Sequence, residues 1–296
     1  MLIFDFFRKE DVFISAKRPG DLYKQLAALA SISSYLNRVF YRADSLFFDY
    51  RLLDIFSSID FIEVPNRRGN YVAPHRSTFF LNSGGVFKYS ELYDSFKRYS
   101  YSFSANYFEG RKAIFLSFES EKRKWLNQLD FLDFIVRRLG SKAVIINSGM
   151  TQTINRVCSG YKTDQRLYEE NILTSWCKEN DCDFVNCFGM SVDEKIPFAL
   201  SCAYSIGSIG TSNFITNALS IPTLSAGNNY IYDYAVSRGV SGHNKNEVVV
   251  TKDYVIEVGV DGRFIDKDYV FSEQLVSYLI DERFFDILSE RFCLGS

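Results

Sequence analysis

Ser205-Ile206-Gly207-Ser208-Ile209-Gly210-Thr211-Ser212-Asn213-Phe214-Ile215-Thr216-Asn217-Ala218-Leu219-Ser220-Ile221-Pro222-Thr223-Leu224-Ser225-Ala226-Gly227 reads as strand, small-residue turn, helix, proline and strand. Gly207 and Gly210 allow a tight turn, and the first free N–H groups of a helix opening near Thr211 point at whatever sits there. Those donors, with the positive end of the helix dipole, favour a phosphate. Ser208, Thr211 and Ser212 bring hydroxyls to the same point, and Asn213 follows them. A packing turn at a βα corner has the same composition, so both readings stand at this stage.

Outward from that stretch, the second half alternates strand and helix patterns. Strands are expected over 112–117, 142–147, 184–186 and 203–206 and helices over 126–139, 167–179 and 193–201, the last with Pro197 in its opening turn. Such alternation predicts a parallel sheet with helices on both faces and ligands at the carboxyl ends of the strands. In the first half, 11–16 reads as a strand and 22–40 as a helix carrying Leu22, Leu26, Leu29, Ile32 and Leu36. Residues 44–59 look helical or mixed, 61–64 and 77–81 read as strands, and 91–98 as helix. A Tyr- and Ser-rich connector ending at Gly110 marks the expected domain boundary. The organisation predicted is 1–110, 111–270, and an amphipathic helix in 271–296 that packs across the domains.

The 296 residues suffice for two ordinary domains, and 47% apolar content is enough for full cores. Many of the 28 Phe and 19 Tyr fall in strand-like runs that suit a buried sheet; a minority in loops, such as Tyr71, Tyr230, Tyr232 and Tyr234, have core or rim packing as the default reading and stacking on a sugar or base as the alternative. A net charge of −2 argues against a nucleic-acid partner. Local basic clusters occur, the obvious ones at Lys17-Arg18, Arg67-Arg68 and Lys122-Arg123-Lys124, each open to reading as a solvated face or a phosphate contact. The first ten residues include charged side chains and lack the apolar core of a signal peptide. No segment reaches about 18 uninterrupted apolar residues. A cytoplasmic protein is expected, with peripheral contact to the inner membrane surface. The 6 Cys are then free thiols, and with 2 His and no C-x-x-C pair neither a metal site nor a Cys/His pair is expected.

Three loops together carry a resemblance. Gly20-Asp21 after the first strand, Lys122-Arg123-Lys124-Trp125 after the strand opening the second half, and Gly210-Thr211-Ser212-Asn213 followed by Ala218-Leu219-Ser220-Ile221-Pro222 are similar in order and place to motifs of heptosyltransferase-like glycosyltransferases. The resemblance implies an α/β protein of GT-B type, two Rossmann-like domains with parallel sheets facing a cleft. It also implies transfer of a sugar from a nucleotide-sugar donor to a glycan or lipid-linked acceptor, inverting and metal-independent, in surface polysaccharide or lipopolysaccharide synthesis. No cofactor is implied, because the nucleotide sugar is a substrate.

Residue by residue, Asp21 matches the acidic group placed near the acceptor hydroxyl and is the implied general base. Lys122 or Arg123 neutralises the departing diphosphate. Gly207, Ser208, Gly210, Thr211, Ser212 and Asn213 hold the donor phosphates, and Lys17, Arg18, Gly20 and His75 lie on the acceptor side. Trp125 is expected to pack. Ser208 stands where the family has Asp and Asn213 where it has His, which leaves the donor open. Asp21 before Leu22 is also suited to capping a helix. His75 and His243 are reserve bases, and Glu119 and Glu121 flank the basic cluster. A non-catalytic module binding a nucleotide sugar or partner enzyme is the alternative. A nicotinamide oxidoreductase is disfavoured because Arg18-Pro19-Gly20-Asp21 replaces a G-x-G-x-x-G turn.

Overall fold

A computed structural model describes residues 11–65, 72–105, 108, 110–118, 124–139, 142–156, 163–237, 244–260 and 275–292. These divide into two compact units, one from the described residues up to Ser102 together with the segment beginning at Gln152, the other from Phe103–Thr151 and the chain beyond 161. Both are α/β with parallel sheets, the class expected from the alternating pattern.

The first unit runs β1 (Val12–Ile14), α1 (Pro19–Ile32), β2 (Arg38–Tyr41), β3 (Asp60–Glu63), α2 (Thr78–Asn82) and α3 (Tyr89–Ser100), with β1, β2 and β3 pairing in parallel in that order. The single helix expected over 22–40 is therefore two elements. The helical apolar spacing persists to Leu36, but a 3₁₀ turn over Ser33–Tyr35 ends it, and Val39, Phe40 and Tyr41, β-branched or aromatic, prefer the pleat between two strands. Residues 44–59 form separate one-turn 3₁₀ helices. The strand expected over 77–81 is instead α2: Ser77 Oγ accepts the Phe80 N–H at 3.1 Å and caps the helix, a local bond that outweighs the β preference of Phe79 and Phe80. Aromatic edges fill this core, with Phe48 against Phe96 at 5.3 Å and Tyr50 against Phe61 at 5.7 Å.

The second unit runs β4 (Ala113–Leu116), α4 (Gln128–Leu139), β5 (Val144–Asn147), α5 (Thr163–Glu179), β6 (Asp183–Asn186), α6 (Val192–Leu200), β7 (Cys202–Ser208), α7 (Phe214–Ala218), β8 (Thr223–Ala226), α8 (Asn229–Ser237), β9 (Glu247–Val249), β10 (Val255–Val260), β11 (Val276–Ile280) and α9 (Phe284–Arg291). Strands β4 to β9 form a parallel sheet in the order β6-β5-β4-β7-β8-β9. Alternate residues Ile114 and Leu116 of β4, Ile206 of β7 and Leu224 of β8 enter one core with Phe131 and Ile135 of α4 and Phe284 and Leu288 of α9.

Two expectations are corrected here. Helix α6 begins at Val192, one residue earlier than read, and Pro197 is its sixth residue, inside the helix rather than in its opening turn. The helix expected in 271–296 is, among the described residues, a strand followed by a helix: β11 pairs antiparallel with β10, and α9 begins only at Phe284. Val276, Tyr278 and Ile280 alternate at period two, a strand signature adjoining the helical one. Strand β11 also ties down the segment after β4, since Leu126 N–H donates to Tyr278 O at 2.8 Å and Tyr278 N–H to Lys124 O at 2.9 Å. Trp125 stacks on Tyr278 and is 3% exposed, so it packs as expected.

Candidate functional site

In the second unit β4 lies between β5 and β7, so the connection after β4 leaves toward β5 and the connection after β7 leaves toward β8. Where two connections depart in opposite directions, a crevice opens at the carboxyl ends of the strands. The residues at that opening are Ser117 and Phe118 after β4 and Ile209 to Asn213 after β7.

Gly207 and Ser208 are the last two residues of β7, not part of the turn, and both are buried. Gly207 is extended, and its lack of a side chain serves packing. A Cβ there would lie 2.4 Å from Asn213 Oδ1 and 2.8 Å from Ser117 Cβ. The reversal falls instead on Gly210, at φ 100°, a conformation that favours glycine. A 3₁₀ turn over Thr211–Asn213 and then α7, of five residues, follow it. Asn213 N–H is taken by Gly210 O at 3.3 Å, and a helix this short has little macrodipole. Asn213, 1% exposed, donates from Nδ2 to Ser225 Oγ at 2.7 Å, while Asn217 Nδ2 donates to Glu247 Oε1 at 2.9 Å. A chain of buried amides thus supports the turn from beneath. Replacing Gly207 with alanine forces Asn213 and Ser117 apart and costs about 2 kcal/mol of stability, measurable as a lowered urea midpoint.

Sequence reasoning missed a second feature of this edge. Lys195 lies on α6 and is fully buried, and its Nζ donates to Gly149 O and Met150 O at 3.2 Å and to Thr151 Oγ1 at 2.8 Å. It ties down the loop that follows β5. Burial pushes its amine down to about 7, opposed by Cys187, Glu169 and Glu194. Glu169 of α5, also fully buried, accepts from Asn147 Nδ2 at 3.0 Å and Gln165 Nε2 at 2.8 Å. Gly149 itself sits at φ 51°, against Phe188. The signal was present in the spacing Val192, Lys195, Ile196, Ala199, which puts the lysine on the apolar stripe of α6.

In the first unit Asp21 is exposed and lies in the first turn of α1. The helix begins at Pro19 with Arg18 as its cap position, so Asp21 is the third helical residue rather than the cap. Lys17 and Arg18 are exposed and Gly20 is half-buried beside them. His75 is half-buried in the 3₁₀ turn Pro74–Arg76, which packs against α1. Asp21 and His75 are thus on neighbouring elements. Lys122 and Arg123 lie outside the described residues, as do Glu119, Glu121, Arg67, Arg68, Tyr71 and His243. Thr211 is placed by its backbone, and Ser212 beside it is half-buried. Among the described residues Cys177, Cys182, Cys187 and Cys202 are free, and burial raises each thiol above its ordinary value. No helix of the described residues is long and apolar enough to cross a membrane.

No family model matches the sequence, and no curated protein matches it. Among solved structures the chain is similar to E. coli ADP-heptose LPS heptosyltransferase II, with a TM-score of 0.42 and 11% identity over 96% of this chain and 98% of that one.

Proposed function

We propose that this chain is a glycosyltransferase that moves a sugar from a nucleotide-sugar donor to a glycan or lipid-linked acceptor. The reading rests on one observation. The two second-half motifs that resemble the family, the segment ending in Lys124-Trp125 and Gly210-Thr211-Ser212-Asn213, follow β4 and β7, the two strands that flank the opening of the second sheet. That opening is where parallel α/β sheets take nucleotides.

In this proposal the backbone and hydroxyls of Thr211 and Ser212 hold the diphosphate, and Lys122 or Arg123 neutralises it as it departs, which needs no metal. Asp21 takes the proton of the acceptor hydroxyl as that oxygen attacks the anomeric carbon opposite the leaving phosphate, so the configuration inverts. The assignment to surface polysaccharide or lipopolysaccharide synthesis, in the cytoplasm at the inner membrane surface, belongs to the same proposal.

Donor hydrolysis in the absence of acceptor tests it. A transferase leaks sugar to water slowly, whereas a binding module releases none. Asp21→Asn is expected to lower transfer about a hundredfold with donor affinity unchanged. Unchanged turnover removes Asp21 from the reaction.

A further inference from the structure

The amino edge of the second sheet, opposite the carboxyl ends of its strands, holds a cavity of about 630 Å³. Lys112 precedes β4, Pro222 precedes β8 and Lys245 precedes β9, while Arg291 closes α9; all of them line this cavity. Lys112, Lys245 and Arg291 are exposed, and none has an ion-pair partner among the described residues. The one carboxylate in the lining, Glu247, is turned into the sheet, where its Oε1 accepts from Ser225 and Asn217. Three cations therefore line the cavity, and among the described lining residues the one carboxylate is engaged within the sheet. Its floor is apolar: Tyr204 stacks on Phe292 with centroids 5.2 Å apart and planes at 18°, and Tyr254 meets Phe284 edge-on at 5.3 Å.

We propose that this cavity is a second binding site, for an organic phosphate whose body is apolar. Arginine and lysine ammonium or guanidinium groups at a rim match phosphate oxygens, and a ring-lined floor gains from covering hydrocarbon. Neither half suffices alone. Inorganic phosphate would forfeit the floor, and an uncharged alkyl chain would forfeit the rim. The site stands independently of the transferase reading, since it lies at the other edge of the sheet and shares no residue with the proposed donor site.

Hexyl phosphate, hexanol and inorganic phosphate, titrated calorimetrically into the full chain, are the probes. Hexyl phosphate is expected to bind in preference to the other two. Lys245→Gln and Arg291→Gln, both exposed and so neutral to folding, are each expected to weaken it about threefold, the scale of an exposed ion pair, and together about tenfold. Unchanged thermal midpoints check that the variants are folded. Failure of hexyl phosphate to bind, equal binding of hexanol or of inorganic phosphate, or indifference to both substitutions overturns the proposal. Sedimentation with phosphatidic acid vesicles but not phosphatidylcholine vesicles, lost in the double variant, identifies a lipid as the source of the phosphate. Hexyl phosphate binding without such sedimentation identifies a soluble organic phosphate.

Discussion

Lys195→Met is expected to remove most of the rise in stability that the wild type shows between pH 7 and pH 9. The buried Lys195 amine titrates at about 7 in the folded chain and at the ordinary lysine value of 10.5 when unfolded. Between those values the unfolded chain holds a proton at this position that the native chain does not. Stability therefore climbs with pH across that window, is flat below it once both states are protonated, and is flat above it once both are neutral. The gain from pH 7 to pH 9 amounts to about 2 kcal/mol. Above pH 9 the opposite effect enters, because burial raises the thiols of Cys177 to about 12 and Cys187 to about 11, and unfolding then releases their protons. Urea denaturation at pH 7 and pH 9 on both proteins isolates the lysine, since the thiols are shared. An equal rise in the variant shows that Lys195 is not the group responsible.

Gly149→Ala acts on the same loop from the other side. Its φ of 51° is left-handed, which costs a residue with a Cβ about 1 kcal/mol. A Cβ there would lie 2.4 Å from Phe188 Cδ2 and 2.8 Å from both Cβ and Cγ of the same side chain. Phe188 is 7% exposed and has little room to retreat, so overpacking adds about 2 kcal/mol. The total expected loss is about 3 kcal/mol, read as a lowered urea midpoint. Measured against Phe188→Ala, in which the clashing ring is absent, the further change Gly149→Ala is expected to cost only the backbone part, which separates the two causes. A single variant as stable as wild type shows that the loop moves freely, and that Lys195 does not hold it.

The parts of the fold legible in the sequence were those where one periodicity runs unbroken between turn signals. Strands β4 and β5 and helices α4 and α5 are of this kind, with continuous apolar runs or a helical stripe bounded by polar residues. What failed was junctions. Ser33–Tyr35 ends α1 without glycine or proline, so the helical spacing ran on into β2, and Ser77 caps a helix whose aromatic residues look like strand. Across 276–291 a strand abuts a helix through a short turn, and both halves are apolar enough to blur together. The order of strands was not legible at all, because alternation predicts a parallel sheet but is silent on which side of β4 each later strand joins.

The candidate site divides along the same line. Gly207 was singled out correctly as a position that needs glycine, but for a turn, whereas close approach of Asn213 and Ser117 is what excludes a side chain. Asp21 falls at the expected end of α1, but as its third helical residue rather than the cap that its place before Leu22 suggests. Lys195 stands on the apolar stripe that Val192, Ile196 and Ala199 form along α6, so its burial was legible in the spacing, whereas the loop it ties, 149–151, is set by tertiary packing that no local pattern shows.

The central claim is that the opening between β4 and β7 takes a nucleotide diphosphate. Thermal shift and calorimetry against UDP, GDP, ADP and CMP, and the sugars they carry, test it most directly, with Thr211→Ala and Arg123→Ala alongside. Selective binding of one nucleotide, weakened by both substitutions, is the result predicted. Binding of none, or binding indifferent to both substitutions, would contradict it.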